Sequence, residues 1–388
     1  MDHGLSSQQI ARYSRQLLIQ DFGVSGQVGV CSSKTLVVGA GGLGCPVATY
    51  LAGAGIGTIG IVDYDEVAID NLHRQVAHRE KMIGKSKVES LKDSIKELNS
   101  LVNVVTHNVL LDKDCALDVL RPYDIVVDCS DNPATSGSAL RWEGQLTVYH
   151  FKEKNGETGP CYRCLFPVPT NPSLVTNCSE GGVLGPVVGV IGSLQALEVL
   201  KIAAGLQPSF SSKLYLFDGS CGRSRTIALR PRNKQCAVCG DSPTITELID
   251  YVSFCGSGAC DKIQSLSVLS PTDRVSATDY AEIRSNSDNP ILLDTRPPHE
   301  FAIASLKEAK NVTLDDVQQL EPETICKRVG LASLDDHPGD MYVICHRGND
   351  SQLAVEILKR KLNFLRIRDI RGGYEAWATE VDQNFPRY

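Results

Sequence analysis

Residues 34–65 of the chain read KTLVVGAGGLGCPVATYLAGAGIGTIGIVDYD. The β-branched run Leu36–Val38 predicts a strand, the glycines that follow predict a tight loop, and Cys45–Ala54 predicts a helix of small residues. A second strand, Ile59–Val62, ends at Asp63. Glycines let backbone N–H groups approach a phosphate at a helix N-terminus, and an acid about 20 residues on can bind ribose hydroxyls. The stretch therefore predicts a nucleotide site in a Rossmann-like α/β fold, with NAD and ATP as alternatives.

Composition narrows the class of protein. The 388 residues are 42% hydrophobic and 22% charged, and the net charge of −7 argues against a nucleic-acid surface. No uncharged apolar run reaches the roughly 18 residues of a membrane helix, because the most apolar candidate, Val187–Ala204, carries Glu198 and Lys201. The N-terminus is polar and lacks a signal-peptide core. We expect a cytosolic protein of two or three domains without a membrane partner.

Fourteen cysteines in a reducing compartment indicate metal binding, catalysis or burial rather than disulfides. Five of them lie in apolar segments and are predicted core residues: Cys31, Cys45, Cys115, Cys129 and Cys326.

Cations after the acid favour ATP over NAD. Gly84–Asn99 is predicted to be a helix with Lys85 and Lys87 in its first turn, where positive charge opposes the helix dipole. An anion at that position would explain the arrangement. Together with Arg74 these lysines fit a triphosphate whose charge must be neutralised during attack at the α-phosphorus. Taken one at a time, each residue also fits an ordinary surface cation.

Two further features of the first half each have two interpretations. The predicted buried strand Ile125–Asp128 leads to Asp131, which is a candidate Mg²⁺ ligand or an ordinary helix cap. Arg12 and Arg15 lie near one face of the first predicted helix, either as a solvated surface or as a guanidinium that reaches a phosphate.

Two C-x-x-C pairs predict a metal site. Cys161 and Cys164 form the first pair, and Cys236 and Cys239 form the second. Four thiolates make a closed tetrahedral Zn²⁺ site, which is structural because no ligand position stays open for chemistry. Between the pairs, Cys178 lies in a polar, glycine-bearing loop typical of an exposed nucleophile, and Cys221 has a similar setting.

A second α/β pattern starts near residue 276. The predicted strand Met341–Ile344 runs into Cys345, a short loop follows, and then the predicted helix Gln352–Leu362. Backbone N–H groups of such a loop and the helix N-terminus favour a thiolate or a persulfide. Cys345 is therefore the best nucleophile candidate of this half. A phosphate-binding phosphatase loop and an inert buried cysteine are the alternatives.

The chain resembles one family over nearly its whole length. Residues 5–240 resemble the ubiquitin-activating-enzyme-like adenylyltransferases of the MoeB/ThiF group, through the motif Arg12–Gln16, the glycine loop, Asn71–Gln75 and both C-x-x-C pairs. After a predicted linker, 241–275, residues 276–388 resemble a smaller α/β rhodanese domain. The fusion is similar to the Uba-type family of adenylyltransferases joined to sulfurtransferases.

The resemblance implies an activity and its residues. A ubiquitin-like sulfur carrier ending in Gly-Gly would be adenylated with ATP and Mg²⁺, and a persulfide on Cys345 would then convert it to a thiocarboxylate. Cys178 matches the family cysteine that forms a thioester or acyl-disulfide, which favours it over Cys221. Arg15 matches an arginine that reaches the phosphates of a neighbouring subunit, so a homodimer is expected. The implied ATP-site residues are Gly42, Asp63, Asp70, Asn71, Arg74, Lys87, Asp131, Asn132 and Arg15.

The resemblance also implies partners. The family's carriers are the ubiquitin-related modifier, which serves tRNA wobble-uridine thiolation, and the small subunit of molybdopterin synthase. The expected sulfur donor is of the cysteine desulfurase type. The resemblance implies no direct nucleic-acid binding.

The sequence departs from the family after Asn132. Where the family has a helix and a further strand, Pro133–Thr135 runs almost directly into Ser136. A parallel crossover needs about a dozen residues or more, so the gap resembles an internal deletion of roughly fifteen residues. Two alternative functions follow: an adenylation-dead protein that keeps only sulfur transfer or carrier binding, and an NAD-dependent oxidoreductase, which the cations and the cysteine pairs disfavour.

Overall fold

The chain folds as two compact units, Met1–Asp261 and Lys262–Tyr388. The computed structural model describes residues 4–130, 137–168, 181–250, 254, 266–286, 290–331, 339–362 and 366–388. Each unit is built around its own sheet and its own apolar core.

A parallel four-stranded sheet organises the first unit. Its strands are β1 (Lys34–Val38), β2 (Thr58–Val62), β3 (Asn103–His107) and β4 (Ile125–Asp128), in the order β3-β2-β1-β4. β1 is buried because both of its neighbours are parallel strands. The Rossmann-like α/β prediction is confirmed.

Seven helices of the described residues belong to this unit. They are α1 (Ser7–Leu17), α2 (Gly23–Ser32), α3 (Gly44–Ala54), α4 (Lys87–Leu98), α5 (Ala116–Leu120), α6 (Tyr162–Leu165) and α7 (Gly185–Ala203). α4 begins at Lys87, so Lys85 precedes the helix and does not belong to its first turn. Of the five cysteines predicted in cores, Cys45 and Cys129 here and Cys326 in the second unit are buried, whereas Cys31 and Cys115 are only partly buried.

α7 is long and apolar enough to cross a membrane by length and composition alone. In the structure it packs against α3, and Val188, Ile191 and Val199 belong to the main apolar cluster. Its Glu198 is almost fully buried and accepts hydrogen bonds from Lys201 and from the backbone of Phe210. These contacts are those of a core helix.

The parallel sheet ends at β4 in the part of the chain that the structure describes. Val126 pairs in register with Leu36 of β1, so both side chains point to the same face. Leu36 is fully buried, yet Val126 keeps 46% of its surface exposed. An exposed valine at the middle of a sheet edge is the expected result when no further strand and helix cover it.

An antiparallel sheet completes the first unit. It contains β5 (Gly137–Leu140), β6 (Glu143–Leu146), β7 (Lys213–Asp218) and β8 (Arg223–Ala228) in sequential order. The prediction of a strand over Leu146–His150 is wrong, because β6 ends where that strand was expected to begin. β5 and β6 are rich in glycine and polar residues, so their composition does not predict strands. Pairing with each other and with β7 stabilises them.

A parallel five-stranded sheet forms the second unit, in the order β11-β10-β12-β13-β9. Its strands are β9 (Arg274–Val275), β10 (Ile291–Asp294), β11 (Ala309–Asn311), β12 (Met341–Ile344) and β13 (Ile367–Ile370). Its helices are α8 (Ala277–Asn286), α9 (Pro298–Ile303), α10 (Leu314–Gln319), α11 (Pro322–Val329), α12 (Asp350–Lys361) and α13 (Gly373–Glu380). β9 lies within the stretch predicted as linker, yet it pairs with β13.

A buried ion pair fixes the end of β10. Asp294 and Arg296 keep 0% and 1% of their side chains exposed, and a 2.6 Å contact joins Nη2 to Oδ2. The guanidinium also donates to the carbonyl of Ala304 and lies 3.9 Å from the ring centre of Tyr374. The arginine thus ties β10, the end of α9 and α13 together.

We predict that Arg296→Met destabilises the second unit by about 3 to 5 kcal/mol, because it leaves the Asp294 carboxylate buried without its partner. The measurement is urea unfolding followed by Trp377 fluorescence in a Trp142→Phe background, which removes the only other tryptophan. Arg360→Met is the matched control, since that arginine is 74% exposed in its pair with Glu356 and should change stability by less than about 1 kcal/mol. Equal effects of the two substitutions would contradict the prediction.

Candidate functional site

The glycine loop joins β1 to α3 through very close backbone contacts. Gly39 has a φ of +96°, and a Cβ placed there would lie 2.8 Å from the carbonyl oxygen of Cys129. A Cβ at Gly44 would lie 1.9 Å from the carbonyl oxygen of Gly39. Only glycine fits at these two positions. The turn therefore brings backbone N–H groups to the start of α3, as phosphate binding requires.

The acid at the end of β2 holds this loop. One oxygen of Asp63 accepts the N–H of Ala40 at 2.7 Å, and the other accepts the N–H of Asp65 at 2.9 Å. Asp63, which the resemblance assigns to the ribose, thus lies directly beside the loop. Asp63 and the loop are distant in sequence but adjacent in space, because β1 and β2 are parallel neighbours.

The predicted cations lie near the same end of the sheet. Arg74 follows a short 3₁₀ turn, Ile69–Asn71, and donates to the carbonyl of Asp70 at 3.0 Å. A Cβ at Gly42 would come within 3.6 Å of its Cγ, so this arginine borders the loop. Lys87 is nearly buried at the start of α4 and forms a 2.8 Å ion pair with Asp65. The structure therefore groups Gly42, Asp63, Arg74 and Lys87.

Only some of the other predicted residues lie in the part of the chain that the structure describes. Arg15 is exposed on α1, and Asn71 uses its side chain within the 3₁₀ turn, where it accepts from Ala68 and donates to Asp70. Asp131, Asn132 and Cys178 lie outside the described residues. Cys221, the rival of Cys178, is exposed, and its thiol donates to Asp218.

One residue that sequence reasoning missed, His78, also holds the loop. His78 is 4% exposed, and its Nε2 lies 2.9 Å from the carbonyl oxygen of Ala40 while its Nδ1 lies 2.9 Å from the hydroxyl of Ser90. The peptide of Ala40 is thereby held on both sides, by Asp63 at N–H and by His78 at C=O. Gln75 is 3% exposed beside Gly41, and its Oε1 has no hydrogen-bond partner among the described residues. Gln75 belongs to the motif Asn71–Gln75, whereas no motif of the sequence marks His78.

The four paired cysteines come together in the first unit. Their sulfurs lie within 4.8 Å of one another, with contacts of 3.7 Å between Cys161 and Cys164, 3.7 Å between Cys161 and Cys236, and 3.4 Å between Cys164 and Cys239. Sulfurs bound tetrahedrally at 2.3 Å to one ion are about 3.8 Å apart. The predicted grouping is confirmed, and its donor set and spacing fit a metal ion.

Backbone contacts shape this cysteine site. The N–H of Asn233 lies 3.3 Å from the sulfur of Cys164, as in the N–H···S bonds that support metal thiolates. A Cβ at Gly240 would lie 2.4 Å from the carbonyl oxygen of Cys236, so the second C-x-x-C turn requires a glycine after Cys239.

Cys345 lies at the end of β12, as predicted, and is 2% exposed. Its sulfur accepts the N–H of Gly348 at 3.1 Å and lies 3.4 Å from the hydroxyl of Ser351. Burial raises the pKa of the Cys345 thiol, although both hydrogen bonds lower it. The hydrogen bonds of the loop thus act in the predicted direction, toward the thiolate, and burial of the sulfur opposes them.

We predict that His78 makes stability fall as the medium becomes acidic. Burial lowers the pKa of His78 below the ordinary 6.5. Below that pH the unfolded chain binds a proton at this position that the folded chain excludes, so the free energy of unfolding decreases. Urea unfolding at pH 7.5 and 5.5 should show a smaller loss for His78→Gln than for the wild type. His150→Gln, at an exposed histidine, should keep the wild-type loss, and an unchanged loss in His78→Gln would refute the assignment.

Two family models match the chain. The ThiF family model matches residues 13–238, and the rhodanese-like domain model matches residues 276–380. Among solved structures, E. coli MccB with MccA-N7isoASN shares the fold, with a TM-score of 0.53 and 22% identity over 62% of this chain and 77% of that one.

Curated relatives match nearly the full length. The adenylyltransferase and sulfurtransferase MOCS3 of Caenorhabditis briggsae is 55% identical over 99% of this chain and 98% of its own. That of Sus scrofa is 48% identical over 99% of this chain and 89% of its own. The first alignment spans 401 positions, which exceeds the 388 residues here by 13, so the relative has at least that many residues opposite a gap in this chain. The chain is an adenylyltransferase and sulfurtransferase, and it belongs to the MOCS3 family, in which a ThiF domain precedes a rhodanese-like domain.

Proposed function

We propose that the enzyme adenylates the C-terminal glycine of a ubiquitin-like sulfur carrier and then converts it to a thiocarboxylate. One observation carries the proposal: a single chain joins a glycine loop bordered by Arg74 to a second unit with a cysteine in a backbone loop. The first feature suits attack on a nucleotide, and the second suits transport of sulfur. Neither NAD chemistry nor a phosphatase needs both.

The first step takes place at the glycine loop. The carrier carboxylate attacks the α-phosphorus of ATP, and pyrophosphate leaves. Backbone N–H groups at the start of α3 bind the phosphates, and Arg74 neutralises charge that develops in the transition state. Lys87 needs only to turn from Asp65, which is half exposed, to make a similar contact. Asp131 is the proposed ligand of Mg²⁺, which would supply further charge neutralisation when bound, and Asn132 is a proposed ATP-site residue.

The second step uses Cys345. The terminal sulfur of its persulfide attacks the acyl-adenylate carbonyl, a C–S bond forms, and AMP leaves. The carrier is then joined to Cys345 as an acyl-disulfide. Its release as a thiocarboxylate requires a second thiol to attack the Cys345 sulfur, which breaks the S–S bond and forms a disulfide that a small thiol reduces. Cys178 is the residue proposed to hold the carrier as a thioester or acyl-disulfide. The family resemblance supports these roles. The four-cysteine site is proposed to hold one structural Zn²⁺.

The proposed partners follow the resemblance. The carriers are the ubiquitin-related modifier, for tRNA wobble-uridine thiolation, and the small subunit of molybdopterin synthase. A donor of the cysteine desulfurase type supplies sulfur, and the enzyme works in the cytosol as a homodimer in which Arg15 reaches the partner's nucleotide.

The exposed edge at β4 favours a second candidate function. Val126 is exposed at the middle of the β4 edge, and the alignment with the Caenorhabditis briggsae relative leaves at least 13 positions without a residue of this chain. Loss of the crossover beside the predicted Mg²⁺ ligand would abolish adenylation. The protein would then act only as a sulfurtransferase or a carrier-binding protein.

ATP–pyrophosphate exchange separates the two functions. We expect exchange that depends on a carrier ending in Gly-Gly, no exchange with a carrier that lacks its last glycine, and a loss of about 100-fold in Lys87→Met. Arg79→Met is the matched control, because that arginine bonds only to the carbonyls of Val76 and His78 among its described contacts. Absence of exchange from a folded, metal-loaded protein would favour the second function.

We predict that Cys164→Ser removes the bound metal and destabilises the first unit, because three thiolates do not close a tetrahedral site. Elemental analysis of the purified protein should find about one zinc per chain in the wild type and almost none in the variant. Cys221→Ser, at an exposed cysteine outside the cluster, should retain the metal. Zinc retained by Cys164→Ser would refute the assignment.

A further inference from the structure

A chain of buried polar groups leads away from the Cys345 sulfur. The thiol donates to the hydroxyl of Ser351 over 3.4 Å, and that hydroxyl points to Oδ2 of Asp369 at 3.5 Å, which is longer than the roughly 2.5 to 3.0 Å of an ordinary O–H···O bond. Arg274 binds both oxygens of Asp369, at 2.8 and 3.0 Å. Ser351 and Asp369 are fully buried.

These groups reach the nucleophile from three elements, α12, β13 and β9. Ser351 lies in the first turn of α12, directly after the Cys345 loop. Asp369 and Arg274 are register partners on β13 and β9. Arg274 also approaches the carbonyl of Gly348 at 3.5 Å, and the N–H of Gly348 donates to the sulfur. The ion pair therefore supports the cysteine through two separate contacts.

Burial of this ion pair needs a reason other than stability. A buried charge pair is often no more stable than an apolar pair of similar volume, because desolvation offsets the attraction. The neighbours of Asp369 along β13, Ile367 and Ile370, are apolar core residues. An apolar side chain at position 369 would suit the strand at least as well.

The chemistry of the cysteine supplies such a reason. A thiol must lose its proton before it attacks a sulfur donor. Cys345 is shielded from water, and burial raises the pKa values of both this thiol and the Asp369 carboxyl. A proton acceptor inside the protein would avoid the need for water at the sulfur.

We propose that Ser351 is a catalytic residue and Asp369 a positioning residue that together accept the proton of Cys345. The thiol proton moves to Oγ of Ser351 as the hydroxyl proton of Ser351 moves to Oδ2 of Asp369. The hydroxyl then donates to the thiolate. The thiolate attacks the outer sulfur of the donor, the donor's S–S bond breaks, and the persulfide of Cys345 forms. With thiosulfate as donor, sulfite leaves with the electron pair, and no oxidant or reductant is consumed.

Other charged groups also face this path. Asp350 acts on Cys345 from α12, Arg274 acts on Asp369 from β9, and Arg371 acts on Asp369 from the end of β13. All three stay unchanged when Ser351 or Asp369 is replaced singly. A difference in pH dependence between those variants therefore reports on the replaced group.

The test is single-turnover sulfite release from thiosulfate by the full chain between pH 6 and 9. Ser351→Ala should slow release by about 100-fold at pH 7, and Ser351→Thr, which keeps the hydroxyl, should restore most of the rate. Ser285→Ala is the matched control, because that hydroxyl bonds only to the carbonyl of Ala281 in its described contacts. It should release sulfite at the wild-type rate.

Asp369→Asn separates proton acceptance from simple electrostatics. Without an internal acceptor the thiol must ionise to solvent, so the rate at pH 7 should fall and then rise about tenfold per pH unit. Simple loss of a nearby negative charge predicts the opposite, since it would favour the thiolate and raise the rate. The double variant Arg274→Gln/Asp369→Asn removes the unpaired arginine, and it should show the same steep pH profile if it retains the wild-type melting temperature.

The inference rests on the proposed role of Cys345. One more variant distinguishes failure of that role from failure of the proton path. Cys345→Ser should release no sulfite. Release by that variant would overturn the proposed function itself. Inactivity of Cys345→Ser together with wild-type rates and pH profiles in Ser351→Ala and Asp369→Asn would overturn the proton path alone.

Discussion

The first unit depends on how closely the backbone approaches itself at the end of β1. The carbonyl of Gly39 occupies the space that a side chain at Gly44 would need, and the peptide of Ala40 is hydrogen-bonded on both sides. Such a turn has little freedom to rearrange, so its N–H groups are positioned before a nucleotide arrives. Preorganised donors of this kind avoid a reorganisation cost at the moment of reaction. Burial lowers the pKa of His78 and so favours the neutral imidazole beside this peptide.

The second unit contains two arginine–aspartate pairs, each with a fully buried aspartate, that have different roles. Arg296 links Asp294 to the end of α9 and to Tyr374, so that pair joins elements of the fold. Arg274 instead binds an aspartate whose other contact is the serine beside Cys345. Two similar ion pairs therefore have different roles. The Arg296 pair supports packing at the end of β10, and the Arg274 pair supports the sulfur of Cys345. The sequence does not indicate the role of the second pair, since Arg274 and Asp369 are 95 positions apart.

Local chemistry explains which features the sequence could predict. The glycine loop, the metal cysteines and the position of Cys345 depend on short motifs whose geometry is set by neighbouring residues. His78 and Asp369 act through contacts with distant strands, and β5 and β6 are stabilised by partners rather than by propensity. The acidity of Cys345 depends on desolvation, which is a property of the whole fold. The loop motif alone predicts the donors that favour a thiolate, but not the burial that opposes them.

The proposed deletion after Asn132 would affect one part of the first unit more than another. The loop is held by Asp63 at the end of β2 and by His78, neither of which lies on β4, and Gly39 also packs against the carbonyl of Cys129 directly after β4. Gln195 of α7 still binds the carbonyl of Asp128 at the end of that strand. The nucleotide loop thus retains its supports, and the exposed Val126 lies on the strand that leads to the proposed Mg²⁺ ligand. Any defect in adenylation should therefore arise at the metal side of the site, with nucleotide binding at the loop preserved.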